Sequence, residues 1–212
     1  KTPTAIKEDD RERLNEFSAE LVGLRVGGPI IENKLFFFVN YERQDDETPQ
    51  PFNFERYQGD ANRQDVVNLR QGIIDAFGYD PGVFEGAPLT LTSDKFIARV
   101  DWNIDDKNTI VFKNSYVEAE ETETRLSGDR SIDFVNGSEF FPTRTNSTTL
   151  EWSTTNGSNM SNNLVLAYTD VLDDRGFVGD AFPFVEIQDG IGEISLGSEQ
   201  FSTANLLEQK LF

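Results

Sequence analysis

The sequence predicts an all-β chain: an antiparallel up-and-down meander of the transmembrane β-barrel kind, with long loops and one short loop helix. Three observations carry this expectation. Segments of about 10 residues alternate between apolar and polar positions, the period-2 pattern of a strand with one apolar side. Short turns alternate with long excursions, so tight connections fall at one end of the sheet and long ones at the other. Composition favours strand formers: aromatics reach 12%, with 18 Phe, although the hydrophobic total is only 37%.

Residues 1–15 are charged and lack a period, as at a loop end or a terminus. The first strand is expected at about 17–26, with Ala19, Leu21, Gly23 and Arg25 on one face and Val22, Leu24 and Val26 on the other. A turn built from Gly27, Gly28, Pro29 and the Asn33-Lys34 pair follows, since Gly and Pro punctuate chains. The second strand, at about 34–43, sets Leu35, Phe37, Val39 and Tyr41 against Phe36, Phe38, Asn40 and Glu42. An aromatic at the polar boundary suits the headgroup level of a membrane barrel.

The excursion from Gln44 to Ser93 contains a helix at about 63–77, because Val66, Leu69, Ile73 and Phe77 recur every three or four residues. Asn62 is its expected N-cap and Gly78 its stop, with Pro81 just beyond. So short a helix needs another surface over its apolar stripe, and the loop itself is the expected supplier.

The third strand, at about 95–104, gathers Phe96, Ala98, Val100, Trp102 and Ile104 on one face. Asp105-Asp106-Lys107-Asn108 makes a tight turn into a fourth strand at about 109–119, with Ile110, Phe112 and Tyr116 on its apolar side. An acidic excursion, Glu120 to Pro142, leads to a fifth strand at about 143–155, where Leu150 and Trp152 share the apolar face. Asn156 to Asn159 turns the chain into a sixth strand at about 162–172, with Leu164, Leu166 and Tyr168 facing one way. A glycine-rich excursion, Asp173 to Phe201, precedes the start of a seventh strand at about 203–212. The whole of 1–212 thus reads as one partial barrel segment. Three excursions on one side argue against a compact sandwich, where such loops are uncommon.

Several function classes are disfavoured. The net charge is −19, from 19 basic and 38 acidic residues, the wrong sign for nucleic acid. There is no His and no Cys, which removes the commonest general base and the N and S ligands of zinc. No Walker loop, nucleophile elbow or dinucleotide fingerprint occurs. Gly27-Gly28 leads into Pro29 and a strand, so it cannot cradle phosphate at a helix start. Asp45-Asp46-Glu47, Glu118 to Glu123 and Asp170 to Asp174 are carboxylate clusters, but none has the spacing of a calcium loop. Solvated loop rims are the expected reading. No catalytic residue, cofactor site or metal site is assigned.

The aromatics divide in two. Trp102, Trp152, Tyr41, Phe112 and Tyr168 belong to apolar strand faces. Phe52, Phe54, Tyr57, Phe140, Phe141, Phe177, Phe182 and Phe184 lie in the excursions and are the candidate ligand contacts, with packing of loop on loop as the competing reading.

The run Gly27-Gly28-Pro29-Ile30-Ile31-Glu32-Asn33-Lys34-Leu35-Phe36-Phe37-Phe38-Val39-Asn40-Tyr41-Glu42 resembles an early barrel hairpin of TonB-dependent outer-membrane receptors of the Oar-like kind, which carry a carboxypeptidase-regulatory-like N-terminal domain. Lys1-Thr2-Pro3, Leu14-Asn15-Glu16-Phe17, Thr48-Pro49-Gln50-Pro51-Phe52 and Phe96-Ile97-Ala98-Arg99-Val100-Asp101-Trp102 are similar too. The likeness covers about the first half; the second half shares only its rhythm. It implies a segment from the front half of a barrel of about 22 strands, placed in the outer membrane of a Gram-negative bacterium. The plug, the TonB box and a leader are not among these 212 residues. Implied partners are the plug and remaining barrel of the same parent chain, TonB-type energy coupling through the N-terminal part, and outer-membrane lipid. The implied role is uptake of a ligand, without enzymatic chemistry. Alone, such a segment has two open sheet edges that invite pairing with another copy. The competing class is a secreted or surface-exposed soluble β domain that binds glycan or protein, which needs a second sheet over the apolar faces. A glycosidase-like enzyme would need a carboxyl of raised pKa in a cleft.

Overall fold

The computed structural model describes residues 17–50, 52–157, 160–198 and 207–211. The charged segment 1–15, and residues 203–206 and 212 of the expected last strand, lie outside the described residues. In chain order the strands are β1 (Ser18–Ile31), β2 (Leu35–Thr48), β3 (Leu89–Asp105), β4 (Asn108–Glu123), β5 (Ser131–Asp133), β6 (Glu139–Asn156), β7 (Met160–Asp173), β8 (Gly176–Phe177), β9 (Val185–Asp189), β10 (Gly192–Leu196) and β11 (Leu207–Leu211). Helix α1 (Arg63–Phe77) lies between β2 and β3. The sheet order β1-β2-β3-β4-β6-β7-β11 is an antiparallel meander, an open path with β1 and β11 at its ends. A second sheet, β5-β10-β9, is built wholly from the excursions.

The first hairpin corrects the expected turn. The chain stays extended through Gly27, Gly28 and Pro29, and turns at Glu32–Lys34, where Asn33 takes φ 59° and the Lys34 amide donates to the Ile31 carbonyl at 3.0 Å. Pro29 is tolerated because it stands at the register shift between Pro29 and Ile31, where the ladder is already irregular. Gly27 serves packing: a Cβ there would stand 3.1 Å from the Phe38 ring and 3.0 Å from the Phe37 carbonyl.

The long strands also run further than expected toward the excursions. Gln44–Thr48, Leu89–Asp94, Glu120–Glu123 and Glu139–Pro142 are all in strands. Their ladder continues, with Asp45 opposite Thr92 and Thr92 opposite Glu120. A ladder is made by backbone groups and does not stop where the apolar side chains stop. The carboxylate runs Asp45–Glu47 and Glu118–Glu123 therefore sit on projecting strand stubs instead of loop rims.

Register places every expected apolar face on the same side of the sheet. Leu35, Trp102, Ile110, Trp152 and Leu164 form one row across five strands. Phe37, Val100, Phe112, Leu150 and Leu166 form the next. Val39, Ala98, Asn114, Thr148 and Tyr168 follow, and then Leu24, Tyr41, Phe96, Tyr116, Asn146 and Asp170, so these two rows are apolar on β2 and β3 and mixed from β4 onward. Beyond them the row turns polar: Arg43, Asp94, Glu118 and Arg144. The opposite face mixes Phe36, Phe38 and Val111 with the ion pairs Lys95–Glu42 (3.1 Å) and Arg99–Asp101 (2.6 Å) and with Ser115, Ser147 and Thr169. The apolar side stays open to its surroundings: Trp102 is 43% exposed, Phe112 40% and Leu166 57%.

The buried apolar core lies elsewhere. Val66, Tyr79, Phe84, Ile132, Phe134, Ile194 and Leu196 form it, and all come from the three excursions. Helix α1 supplies Val66, fully buried. Asn62 caps its start by a reciprocal bond pair with Asp65, and Gly78 ends it at φ 68°. The short turns leave the sheet at one end and this cap closes the other. Among the described residues no helix is long and apolar enough to cross a membrane, a criterion that does not address strands.

Candidate functional site

The candidate ligand contacts fall in the cap. Its three excursions are tied by backbone bonds between them. The Gln58 amide donates to the Asp129 carbonyl at 2.8 Å, Val135 to Val83 at 2.8 Å, and Asn136 to Pro81 at 3.1 Å. The third excursion joins through Glu193 to Arg130 at 3.0 Å and through β10, which runs parallel to β5.

The eight expected aromatics do not converge on one site. Phe52, Phe54 and Tyr57 form a chain of rings, with centroids 6.0 Å and 5.5 Å apart, that continues through Phe84 to the buried Phe134. Phe182 stacks on Tyr79 at 4.1 Å and meets Phe77 edge-on at 5.8 Å. These four are packed against the core. Phe140 and Phe141 lie on the β6 stub, and Phe177 on β8 beside it. Gly176, opposite Phe140, leaves room for that ring, which a Cβ would strike. Phe141 lies under the Arg175 guanidinium at 5.5 Å, and Arg175 pairs with Glu139. Phe184 lies under the Arg125 guanidinium at 5.0 Å.

Polar locks hold this arrangement. The Tyr57 hydroxyl donates to Asp189 Oδ2 at 2.9 Å, and the Ala61 amide donates to the same oxygen at 2.9 Å. Burial, reinforced by the Asp189 carboxylate, pushes the Tyr57 hydroxyl well above the ordinary tyrosine value. The Arg70 guanidinium grips Asp80 at 2.6 and 2.8 Å and holds that carboxyl below its ordinary range. Arg63 grips Glu85 at 2.8 and 3.0 Å. Burial raises the Tyr79 hydroxyl, opposed by the Asn136 amide.

Among the described residues, two recesses lie in the cap. One, of about 60 Å³, is lined by Gln50, Phe52, Phe84, Arg125, Ser127 and Asp133 among others. The other, of about 240 Å³ and more open, lies across Val83 and Phe84 and is lined by Arg63, Val67, Arg70 and Glu85. Phe52 is the one expected contact residue that lines either recess. Arg125, Ser127 and Asp133 were not expected. The available signal was weak: Arg125 is a cation in a stretch otherwise dominated by acids, from Glu118 to Asp133. Among the described residues no group of three or more acidic side chains is placed to hold a metal ion, so the carboxylate runs do not converge. The smaller recess sets a cation, Arg125, and a carboxylate, Asp133, beside the Phe52 and Phe84 rings.

No family model, no curated protein and no solved structure matches this chain.

Proposed function

We propose that this chain is part of a TonB-dependent outer-membrane receptor, supplying barrel strands and extracellular ligand-contacting loops for the active uptake of a ligand. The observation that carries the reading is the one-sided apolar face with aromatics at both borders. Its two wholly apolar rows and the two mixed rows beyond them span about 20 Å along the strands, close to the band about 25 Å tall on outer-membrane barrels. Trp102 and Trp152 stand at the border near the short turns, and Tyr41 and Tyr116 at the border near the cap. The tyrosine hydroxyls donate outward to Asp94 (2.5 Å) and Glu118 (2.9 Å), in the adjoining polar row. Aromatic girdles at both interfaces are what a lipid-facing barrel surface requires. The opposite, ion-paired face suits a wet lumen.

On this reading the short turns are periplasmic, the cap is extracellular, and lipid covers the apolar face. The open edges β1 and β11 pair with the remaining barrel of the parent chain. Plug and TonB coupling belong to that parent chain, in the outer membrane of a Gram-negative bacterium. The soluble β-domain reading requires a second layer over the apolar rows. The small β5-β10-β9 sheet packs in the cap instead.

The chain's two tryptophans report on this face directly. Reconstituted into phospholipid bilayers, both should be quenched by brominated acyl chains and shielded from iodide. Iodide access with no bromine quenching would remove the membrane reading in favour of the soluble domain. The parent reading frame tests the rest: a signal peptide and plug upstream, and many alternating strands downstream, are expected.

A further inference from the structure

In the cap, opposite charges line one cavity without pairing. Arg56, Arg63, Arg70 and Arg175 each hold a carboxylate, on Asp129, Glu85, Asp80 and Glu139. Arg125 is half-buried, and its guanidinium rests on the Phe184 ring at 5.0 Å; no carboxylate of the described residues reaches it. A ring face satisfies the charge in part but accepts none of the five N–H donors of a guanidinium. In a chain of net charge −19, a half-buried cation without an acid is out of keeping with its surroundings. Asp133 lines the same cavity. Its Oδ1 accepts from the Ser195 hydroxyl at 2.5 Å, while Oδ2 takes no hydrogen bond from the described residues.

The backbone behind both charges is pinned. The Arg125 amide donates to the Oγ of Ser138, which is fully buried, at 2.8 Å. The Asp133 amide donates to Ser127 Oγ at 3.0 Å, and that hydroxyl donates to the Phe84 carbonyl at 2.8 Å. The charges are thus carried by fixed chain segments, the condition for a preorganised site. Phe52 and Phe84 complete an apolar wall. The larger recess makes no such demand, because Arg63 and Arg70 already hold Glu85 and Asp80.

We infer that this cavity is a subsite for a compact zwitterion of the α-amino acid class, with Arg125 taking the carboxylate and Asp133 the ammonium. A volume of about 60 Å³ admits the head group, and a longer side chain would leave through the mouth. Read as ligand recognition by a transporter, this rests on the receptor reading; the binding itself does not.

The test uses the whole chain in an uncharged maltoside detergent, with ¹⁵N-arginine, following the Arg125 Nε–H resonance assigned through Arg125→Lys. Glycine is titrated against acetate and methylammonium, with chloride at matched ionic strength. The expected result is a saturable glycine shift, with either half-ligand about tenfold or more weaker. Arg125→Gln and Asp133→Asn should each weaken glycine binding about tenfold or more, at unchanged circular dichroism. No saturation with glycine, acetate as tight as glycine, or variants that bind like the parent would overturn the inference. Should Arg125→Gln not fold, the glycine-to-acetate ratio and Asp133→Asn still decide. Bromine quenching is read on the same chain, so glycine binding with unquenched tryptophans sinks the receptor reading alone, and the converse sinks this inference alone.

Discussion

The wall and the cap use the same side chains in opposite ways. In the wall, Phe96, Phe112, Trp102 and Trp152 are spread over one face of a single sheet and remain open to their surroundings. In the cap, Phe84, Phe134, Tyr79 and Ile132 turn inward and are buried. The wall gains its regularity from an uninterrupted backbone ladder; the cap gains its shape from a small apolar core with polar locks around it. A one-layer sheet cannot bury an apolar face by itself, so on the proposed reading the wall takes an external apolar partner. The cap has its own core and needs none.

The sharpest test of that division is Phe134→Ala, a large-to-small change at a fully buried ring. It is expected to destabilise the cap by about 3–5 kcal/mol. Limited proteolysis should then open the excursions while hydrogen exchange in β2, β3, β4 and β6 stays slow. Loss of protection in both regions together would show that wall and cap fold as one unit.

Next comes Leu150→Arg, in the middle of the apolar face. In a bilayer it should cost about 2–4 kcal/mol, read by urea titration in liposomes. Thr149→Glu, on the opposite face across from Lys113, should stay within about 0.5 kcal/mol. Equal effects at the two positions would erase the distinction between the faces.

Tyr57→Phe removes the lock between the first excursion and β9, and should cost the cap about 1 kcal/mol. The sign of the pH effect follows from the raised folded-state pKa. The stabilisation is fully present below the unfolded value of about 10 and is lost as pH rises through the higher folded value. Cap protection should therefore fall in alkali in the parent and show a weaker alkaline loss in Tyr57→Phe. Asn62→Ala, which removes the helix cap, should cost about 1 kcal/mol or less and loosen only α1, seen as faster exchange in its first turn. Neither change should alter tryptophan quenching in the wall.

Much of the wall could be read from the chain alone. Alternation identified Leu35–Tyr41, Phe96–Trp102 and Ile110–Tyr116 as apolar faces, and register put them on one side. Helix α1 occupies the range that its period, Asn62 and Gly78 indicate. The turn at Glu32–Lys34 was misplaced because Gly27 and Gly28 read as turn residues, whereas Gly27 makes room for Phe38. Strands β5, β8, β9 and β10 went unread: they span only two to five residues and have no period to detect.

The sequence by itself determined the all-β class, the sidedness of the sheet and the helix, because alternation, helical period and caps are local and act within one element. The tertiary structure alone decided which aromatics are core. Phe54, Tyr57 and Phe182 look no different along the chain from Phe184, yet the former pack inward while Phe184 carries Arg125 beside a cavity. That choice depends on contacts between residues such as Tyr57 and Asp189, which are 132 positions apart. Likewise the cavity that Arg125 and Asp133 share with Phe52 exists only once the first two excursions close on one another. No local pattern encodes it, because the burial that leaves a charge unpaired is a property of the assembled cap.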